Sequence, residues 1–499
     1  MTPAPDNAPY DIAVIGGGVN GAGIARDAAG RGAKVLLLEA RDLASGTSSA
    51  STKLVHGGLR YLEYYEFALV REALQEREKL WAIAPHIIWP MRFILPHEDG
   101  QRPRWMLRAG LFLYDTIGGR RTLPGTASVR LRQHEAGAPL EDRLTHAFEY
   151  SDLWVDDARL VALNAVDARE RGADIRLHTP VTSARRENGL WRIETEGEHG
   201  DETFTSRAIV NAGGPAANDV DRLAGITPAH GLRRVRGSHI VVPKLFDHPY
   251  AYLLQQPDTR IVFAIPYEND FTLIGTTDAD HDGSLGDVHI DGEETDYLIT
   301  AANRAFERDL TRDDIAWTYA GVRALVDDGS GRPEAATRGY KLPLSDESEG
   351  APILSVYGGK ITSYRHLAEA AVDALAPRLD ALKGGHWTAK AALPGGDFAP
   401  TTQPEFIADL HARYPFLGLD QATRIARAYG TRAEWWLEDA TDWDDLGQRF
   451  GAGLTEAEIA YMQEAEWART ADDVLWRRSK LGLHMSDTQR AAVRAFLDG

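Results

Sequence analysis

The chain has 499 residues, of which 43% are hydrophobic and 26% are charged, and its formal net charge is −19. A chain of this length is expected to fold as two or three domains, each with its own core. The acidic charge argues against binding nucleic acid, or an anionic surface, through the protein as a whole. Because the sequence contains no cysteine, disulfides, thiolate metal sites, cysteine nucleophiles and thiol-linked cofactors are excluded.

The first forty residues contain the pattern of a dinucleotide-binding site. A short apolar strand is predicted over residues 11–16, and it runs into a glycine-rich turn over residues 16–21 (GGGVNG). An alanine-rich helix is predicted over residues 19–30, and a second buried strand over residues 34–39 ends in Glu39. Strand, glycine turn, helix, strand and acid follow one another at the spacing of a dinucleotide fingerprint.

Each polar or small position in this pattern has a physical role. Gly16 permits the tight turn, and Gly18 lets the backbone approach a pyrophosphate. Gly21 allows the helix to press on the sheet, so that its positive N-terminal end faces the phosphates. Glu39 is predicted to accept hydrogen bonds from the ribose hydroxyls. The fingerprint alone does not separate FAD from NAD.

Three later segments favour FAD. Residues 47–53 (TSSASTK) form a hydroxyl-rich loop suited to phosphate and ribitol oxygens, although a solvated turn with helix caps has the same composition. Residues 208–215 are an apolar strand that enters a glycine pair, and residues 355–362 are a strand that enters a second pair before a helix. A helix N-terminus of the latter kind stabilises negative charge on a reduced flavin ring. The predicted contacts are Ser48, Ser49, Gly213, Gly359 and Thr362, with Val181 beside the adenine.

One dinucleotide fingerprint is visible in the sequence, so no second unit for NAD(P)H is predicted. Electrons must then leave the flavin to a quinone, to oxygen or to a partner protein. Residues 278–283 (DADHDG) open like a calcium loop, but position twelve is His289 rather than glutamate. No metal is assigned.

The ordered motifs resemble those of the respiratory, FAD-dependent glycerol-3-phosphate dehydrogenases. The matching blocks cover residues 15–32, 47–65 (TSSASTKLVHGGLRYLEYY), 90–96, 149–160 (EYSDLWVDDARL), 236–243 (RGSHIVVP), 274–278 (IGTTD), 316–323, 354–365 and 471–482 (ADDVLWRRSKLG). The resemblance implies oxidation of sn-glycerol 3-phosphate to dihydroxyacetone phosphate by hydride transfer to FAD N5. It also implies that the electrons pass to membrane quinone.

The same resemblance implies the architecture. We expect an α/β protein with a Rossmann-like FAD-binding domain, an antiparallel-sheet substrate domain and an all-helical C-terminal domain. The FAD-binding domain is predicted to be discontinuous, over residues 10–85, 148–232 and 320–377. The substrate domain is assigned to residues 86–147 and 233–319, and the helical cap to residues 400–499.

Oxidising a phosphorylated alcohol requires that the phosphate be held and that charge on the C2 oxygen be stabilised. By resemblance, Arg60, Tyr61 and Arg338 would grip the phosphate, the arginines through paired donors. Either arginine alone is more often a partner in a surface salt bridge; its position in a matching motif reverses that preference for Arg60 and balances the two interpretations for Arg338. Arg323 and Lys360 would stabilise the negative charge that develops on the C2 oxygen.

His239, in a predicted strand, is the candidate general base, because the pKa of histidine suits proton uptake near neutrality. The alternative is a histidine that is hydrogen-bonded within its sheet. His56, before a glycine pair, is expected to shape the flavin loop.

Residues 102–121 are a candidate membrane contact. On a helix, one side collects Met106, Leu107, Leu111, Leu113, Tyr114 and Ile117, flanked by Arg104, Arg108, Arg120 and Arg121. This pattern suits an interfacial helix, and equally a helix that packs on its own domain. No apolar stretch approaches the roughly 18 residues of a spanning helix, and the first ten residues lack a secretory signal. We expect a cytoplasmic protein, peripheral on the inner face of the cell membrane; a homodimer is compatible with the sequence.

Two other functions fit the sequence. The first is a soluble glycerol-3-phosphate oxidase that reduces oxygen to peroxide. The second is a flavin-binding scaffold without turnover, against which the retained arginines, Lys360 and His239 argue. An oxidase of amines or amino acids is less favoured, because such substrates carry a carboxylate in place of the phosphate.

Overall fold

The computed structural model describes residues 8–98, 100–119, 122–197, 200–327 and 339–499, without the side chains of Arg60, Glu63, Tyr64 and Glu347. In chain order, the strands are β1 Tyr10–Ile15, β2 Val35–Leu38, β3 Leu54–Val55, β4 Ile88–His97, β5 Ala127–Arg130, β6 His146–Val155, β7 Asp174–Arg176, β8 Val181–Glu187, β9 Leu190–Gly197, β10 Gly200–Asn211, β11 Leu232–Pro243, β12 Ala251–Gln255, β13 Ile261–Tyr267, β14 Phe271–Gly275, β15 Ala279–Asp280, β16 Trp317–Val326, β17 Tyr340–Lys341, β18 Ile353–Ser355, β19 Tyr357–Gly358, β20 Arg449–Gly451 and β21 Leu454–Thr455.

The α-helices are α1 Val19–Gly30, α2 Phe67–Ile83, α3 Arg104–Ile117, α4 Asp157–Glu170, α5 Ala217–Leu223, α6 Gly292–Asn303, α7 Tyr364–Leu375, α8 Gln403–Arg413, α9 Gly418–Tyr429, α10 Glu434–Leu437, α11 Glu456–Glu466 and α12 Asp487–Leu497. Three 3₁₀ helices also contribute to the site, Thr47–Ser49, Leu59–Tyr64 and Ile361–Ser363.

The first sheet has the strand order β7-β2-β1-β10-β9-β8, and β18 pairs with the last residues of β10, beyond those that pair with β9. Strands β7, β2, β1, β10 and β18 are parallel, whereas β8 and β9 form an antiparallel extension. Helix α1 contacts both α4 and α7, and their apolar faces form one core with the parallel strands. Since β1, α1 and β2 follow one another as the sequence predicts, the Rossmann-like fold is confirmed.

The second sheet has the order β15-β11-β14-β13-β12-β4-β6-β3, with β16 on β11 and β5 on β6. Its pairs are antiparallel except for β4 and β12, which run parallel. The predicted antiparallel sheet is therefore mixed at one pair. The proposed domain borders stay predictions; three of them, at residues 148, 233 and 320, fall inside β6, β11 and β16 of this sheet.

The loop over residues 47–53 crosses from the first sheet to the second. Lys53 forms an ion pair with Asp157 at 2.7 Å, and both side chains are buried. The backbone N–H and the hydroxyl of Ser51 donate to the same carboxylate, at 3.1 and 2.7 Å. On the other side, the Tyr319 hydroxyl donates to the Ser51 carbonyl at 2.9 Å. The loop is thus fixed between the start of α4 and β16.

The C-terminal region is helical, as predicted, and also contains the short antiparallel ribbon of β20 and β21. Two buried ion pairs fix it to the first domain. Arg159 bonds Glu466 through both terminal nitrogens at 2.7 Å, and Arg478 bonds Asp42 at 2.8 and 2.7 Å. Because a buried charge is costly unless it is paired, the two regions are tightly coupled.

The apolar stripe predicted over residues 102–121 does not form one exposed face of helix α3. Leu111 and Tyr114 point into the domain and are buried. Trp105, Met106 and Phe112 lie on the outside, with exposed fractions of 71%, 40% and 61%. The helix packs on its own domain through Leu111 and Tyr114 and also carries exposed aromatic side chains, and its membrane contact stays a prediction.

Of the arginines predicted to flank this helix, Arg104 and Arg108 are exposed, whereas Arg120 and Arg121 lie outside the described residues. Among the helices described here, none combines the length and the apolar character needed to cross a membrane.

Candidate flavin and substrate site

Three glycine turns meet at one edge of the first sheet, where β1, β10 and β18 end. In the parallel register, Ile15 lies opposite Asn211, and Asn211 lies opposite Ser355. Ligands of open α/β sheets bind at the carboxyl ends of such strands. The turns that meet there cover residues 16–18, 213–214 and 358–359.

The predicted glycines lie where the backbone approaches most closely. A Cβ at Gly16 would lie 2.5 Å from the carbonyl oxygen of Ala212 and 3.2 Å from the amide nitrogen of Gly213. A Cβ at Gly21 would overlap the carbonyl oxygen of Gly16. Any side chain at these positions would separate α1 from β1 and β10, so glycine is required by packing. The cradle therefore has the shape that the fingerprint predicts.

Glu39 and Ser48 both bond to the backbone of the first turn. The Gly17 amide donates to Glu39 Oε2 at 2.6 Å. Burial raises the pKa of Glu39, an effect that this bond opposes because it stabilises the charged form. The Val19 amide donates to Ser48 Oγ at 3.0 Å, which places this hydroxyl at the N-terminus of α1. Two predicted contacts from different segments are thus brought to the turn.

The remaining residues on the nucleotide side also lie near this edge. The Thr179 amide donates to the Glu39 carbonyl at 2.9 Å, and Val181 follows two residues later at the start of β8. The Gly213 amide donates to Asn211 Oδ1 at 3.1 Å. Ser49 directs its hydroxyl to the Gly46 carbonyl at 3.3 Å. Their contacts with a nucleotide stay predictions.

Gly359 and Thr362 lie on the opposite side of the cradle, at the start of α7. A Cβ at Gly359 would lie 3.1 Å from Asn20 Nδ2, so α7 and α1 approach each other closely here. Thr362 Oγ1 bonds the backbone of His56 at 3.3 Å, which connects α7 to the segment after the flavin loop. Asn20 Oδ1 is buried and has no hydrogen-bond partner among the described residues. A buried acceptor beside a glycine cradle fits a bound cofactor with an O–H or N–H to donate.

His239 is enclosed rather than open to a substrate. Its ring stacks on Tyr319 with a centroid distance of 4.6 Å, and a Cβ at Gly275 would overlap its other face. Nε2 bonds the Thr52 hydroxyl at 3.0 Å, and the side chain is 1% exposed. Burial lowers the pKa of His239 well below 6.5, and the nearby cations Arg323 and Lys53 lower it further.

The prediction that His239 is the base depends on the ordinary pKa of histidine. The buried environment removes that support, because it lowers the pKa of this side chain. Burial favours the alternative, a histidine that supports its sheet and the flavin loop. The general-base role stays a prediction.

Arg323 has a carboxylate partner that the sequence reasoning did not assign. Its guanidinium forms an ion pair with Asp278 and donates to the Thr276 hydroxyl at 2.9 Å. A Cβ at Gly237 would lie 2.5 Å from the same guanidinium. With 31% of its side chain exposed, Arg323 is fixed in direction yet reachable from solvent.

Tyr61 and Lys360, predicted from segments about 300 residues apart, are brought into contact. Lys360 Nζ lies 3.9 Å from the centre of the Tyr61 ring, within the range of a cation–π interaction. The side chain of Arg60 and the whole of Arg338 lie outside the described residues. The phosphate roles of these two arginines stay predictions.

The residues that the sequence reasoning missed act through the predicted ones. They are Thr52 and Tyr319 around His239, Asp278 on Arg323, Asp157 on the flavin loop and Asn20 beside Gly359. Several of them lie inside the motifs quoted above, so their importance was visible. Their partners were not, because the contacts join strands that are distant in sequence.

A parallel sheet with a glycine cradle at its edge, next to a second sheet with fixed cations, defines a FAD-dependent oxidoreductase. The chain matches the family described as "FAD dependent oxidoreductase" over residues 11–392. Residues 386–498 match the "C-terminal domain of alpha-glycerophosphate oxidase". FAD is therefore the cofactor, as predicted.

Relatives of known activity cover nearly the whole chain. It is 52% identical to D-erythritol 1-phosphate dehydrogenase of Brucella abortus, covering 98% of this chain and 97% of the relative. It is 51% identical to glycerol-3-phosphate dehydrogenase of Pseudomonas aeruginosa, covering 98% and 95%. The FAD complex of glycerol-3-phosphate dehydrogenase from Bacillus halodurans has a TM-score of 0.77 at 27% identity, covering 98% of this chain and 94% of that one. The chain belongs to the family of FAD-dependent glycerol-3-phosphate dehydrogenases.

The glycine contacts predict how FAD binding is lost. Gly21→Ala places a methyl group on the Gly16 carbonyl and should yield protein with little bound flavin. The measurement is the ratio of flavin to protein absorbance after purification, with added FAD titrated by fluorescence. Gly110→Ala is the matched control, since it changes a helical glycine with open space around it. Full flavin occupancy in Gly21→Ala would contradict the assignment.

Proposed function

We propose that this chain oxidises sn-glycerol 3-phosphate to dihydroxyacetone phosphate and passes the electrons to membrane quinone. The observation that carries the proposal is the contact of Tyr61 with Lys360, which lies one residue after the cradle glycine Gly359. Arg323 lies on β16 beside Val322, whose carbonyl accepts a hydrogen bond from Thr47 of the flavin loop. The activity named for the Pseudomonas aeruginosa relative supports the same substrate.

The protein side chains divide the chemistry between them. Bound FAD would supply the acceptor for the hydride that leaves C2, and His239 stays the candidate base for the proton of the C2 hydroxyl. Tyr61, together with Arg60 and Arg338, holds the phosphate, since guanidinium groups bind phosphate oxygens through paired donors. Lys360 and Arg323 stabilise the negative charge on the C2 oxygen before it becomes a carbonyl. Asp278 keeps the Arg323 guanidinium in one orientation.

The Brucella abortus relative supports a second candidate, oxidation of D-erythritol 1-phosphate. Both substrates carry a secondary alcohol next to a phosphorylated carbon, so the same cations would serve both. The two substrates differ in how much space the site must provide beyond the reacting carbon.

The proposed activity is tested by adding glycerol 3-phosphate to the holoenzyme without oxygen. We expect the flavin absorbance to bleach, because the hydride has an acceptor but no onward route. Glycerol is the control that lacks the phosphate, and D-erythritol 1-phosphate is the competing substrate. A flavin that bleaches only with the erythritol compound would assign the second candidate, and one that bleaches with neither would favour a non-catalytic scaffold.

The same reduced enzyme separates the electron acceptors. We expect a quinone analogue to restore the flavin absorbance faster than dissolved oxygen does. Stoichiometric peroxide without an added acceptor would instead identify a soluble oxidase.

The pH dependence tests the role of His239. A neutral base stays active while the pH lies above its pKa, and activity falls as the pH drops through that pKa. Because burial lowers this pKa well below 6.5, His239 should add no fall in kcat/KM near pH 6.5 to the fall caused by protonation of the substrate phosphate, whose second pKa is about 6. A fall in kcat/KM with an apparent pKa near 6.5, absent in His239→Asn, would contradict a buried histidine.

For membrane contact, we propose that α3 docks on an anionic bilayer at the cytoplasmic face. The surface consists of exposed aromatic and apolar side chains from α3 and from the start of α2, which contacts it. Its members are Trp105, Met106, Phe112, Tyr65 and Phe67, and α3 also carries the exposed cations Arg104 and Arg108. Local cations beside aromatic side chains suit anionic headgroups even though the net charge is −19.

A homodimer stays a prediction that light scattering would test.

Vesicle sedimentation tests this surface. Trp105→Ser combined with Phe112→Ser should weaken binding to anionic vesicles by about tenfold or more, because two apolar side chains no longer leave water. Trp435→Ser is the control, since Trp435 is 58% exposed on the C-terminal region. Equal losses in both variants, or no binding by the unaltered protein, would reject α3 as the docking surface.

A further inference from the structure

Tyr114 is the one member of the predicted surface stripe whose polar group lies in the interior. The side chain is 2% exposed, and its hydroxyl accepts a hydrogen bond from the Gly57 amide at 2.7 Å. The same hydroxyl donates to the Asp152 carboxylate at 2.8 Å. Asp152 is in turn bonded by Arg77 at 2.8 Å. These four groups form a continuous chain from α2 to the backbone of the segment after the flavin loop.

The chain is closed to water, so its bonds are not replaced when one is lost. Asp152 and Arg77 are 3% and 6% exposed. Burial raises the pKa of Asp152, while Arg77 and the Tyr114 hydroxyl oppose the rise by stabilising the carboxylate. Without the hydroxyl, the Gly57 amide N–H would lose its acceptor at 2.7 Å in a buried position.

Gly57 itself has little room to move. A Cβ at Gly57 would lie 2.5 Å from Leu74 and 2.8 Å from the Tyr114 ring. The next residue, Gly58, has a φ of +73°, and a Cβ there would overlap the Tyr61 ring. The position of the Gly57 amide therefore sets where Tyr61 lies.

Tyr61 connects this segment to the cation of the site, Lys360. Its ring lies 3.9 Å from Lys360 Nζ, the group assigned to the C2 oxygen. We propose that Tyr114 is a positioning residue for the substrate segment over residues 57–61, acting through the Gly57 amide. The inference deepens the proposed function and rests on it, since Tyr61 is there assigned to the phosphate.

The test compares two conservative substitutions that each remove one buried hydroxyl. In Tyr114→Phe, the KM for glycerol 3-phosphate should rise about three- to tenfold with little change in kcat, as for one lost hydrogen bond. Tyr252→Phe is the matched control, because its hydroxyl donates to the Ala136 carbonyl at 2.6 Å on the far side of the second sheet. KM should be unchanged there, even if the melting temperature falls equally.

Amide hydrogen exchange gives a readout that does not depend on turnover. We expect faster exchange over residues 53–65 in Tyr114→Phe and not in Tyr252→Phe, because the Gly57 amide loses its acceptor. Unaltered exchange, or faster exchange without a change in KM, would overturn the inference. If Tyr114→Phe does not fold, Asp152→Asn should give the same pattern. A wild-type protein that does not oxidise glycerol 3-phosphate, with the exchange difference intact, would reject the proposed function alone.

Discussion

The site depends on the hydrogen-bonded register of three parallel strands that are far apart in sequence. Because Ile15, Asn211 and Ser355 lie side by side, each strand delivers its glycine turn to the same edge. A side chain in these turns would push the strands or α1 apart, as the contacts of Gly16 and Gly21 show. Shifting any of the strands by one residue would also exchange the side chains on its two buried faces. The position of the cofactor is therefore decided by the same bonds that hold the sheet together.

The loop over residues 47–53 relates this edge to the second sheet. Ser48 reaches the first turn of α1, while Thr52 bonds His239 on β11. Its conformation is fixed at the centre by Lys53 and Asp157, an ion pair enclosed from water. One short segment thus touches the cofactor side and the substrate side at once, and the distance between them is set by its length.

Local pattern was enough to predict the cradle and its helix. Strand β1, the first glycine turn and α1 could all be predicted, because each depends on residues within about thirty positions along the chain. The environment of His239 could not be predicted from local sequence, because it is formed by Tyr319 and Gly275, which lie on two other strands. Helix α3 shows the same limit, since its periodicity reveals an apolar stripe but not what covers it. The inward direction of Tyr114 follows from the presence of Asp152 on a strand beneath it.

Several ion pairs join the C-terminal region to the rest, and the two whose side chains are both buried have opposite polarity. The first domain contributes the carboxylate of Asp42 to one pair and the guanidinium of Arg159 to the other. The C-terminal region contributes the complements, Arg478 and Glu466. A chimera whose C-terminal region lacked Arg478 or Glu466 would leave a buried charge without its partner in the rest of the chain.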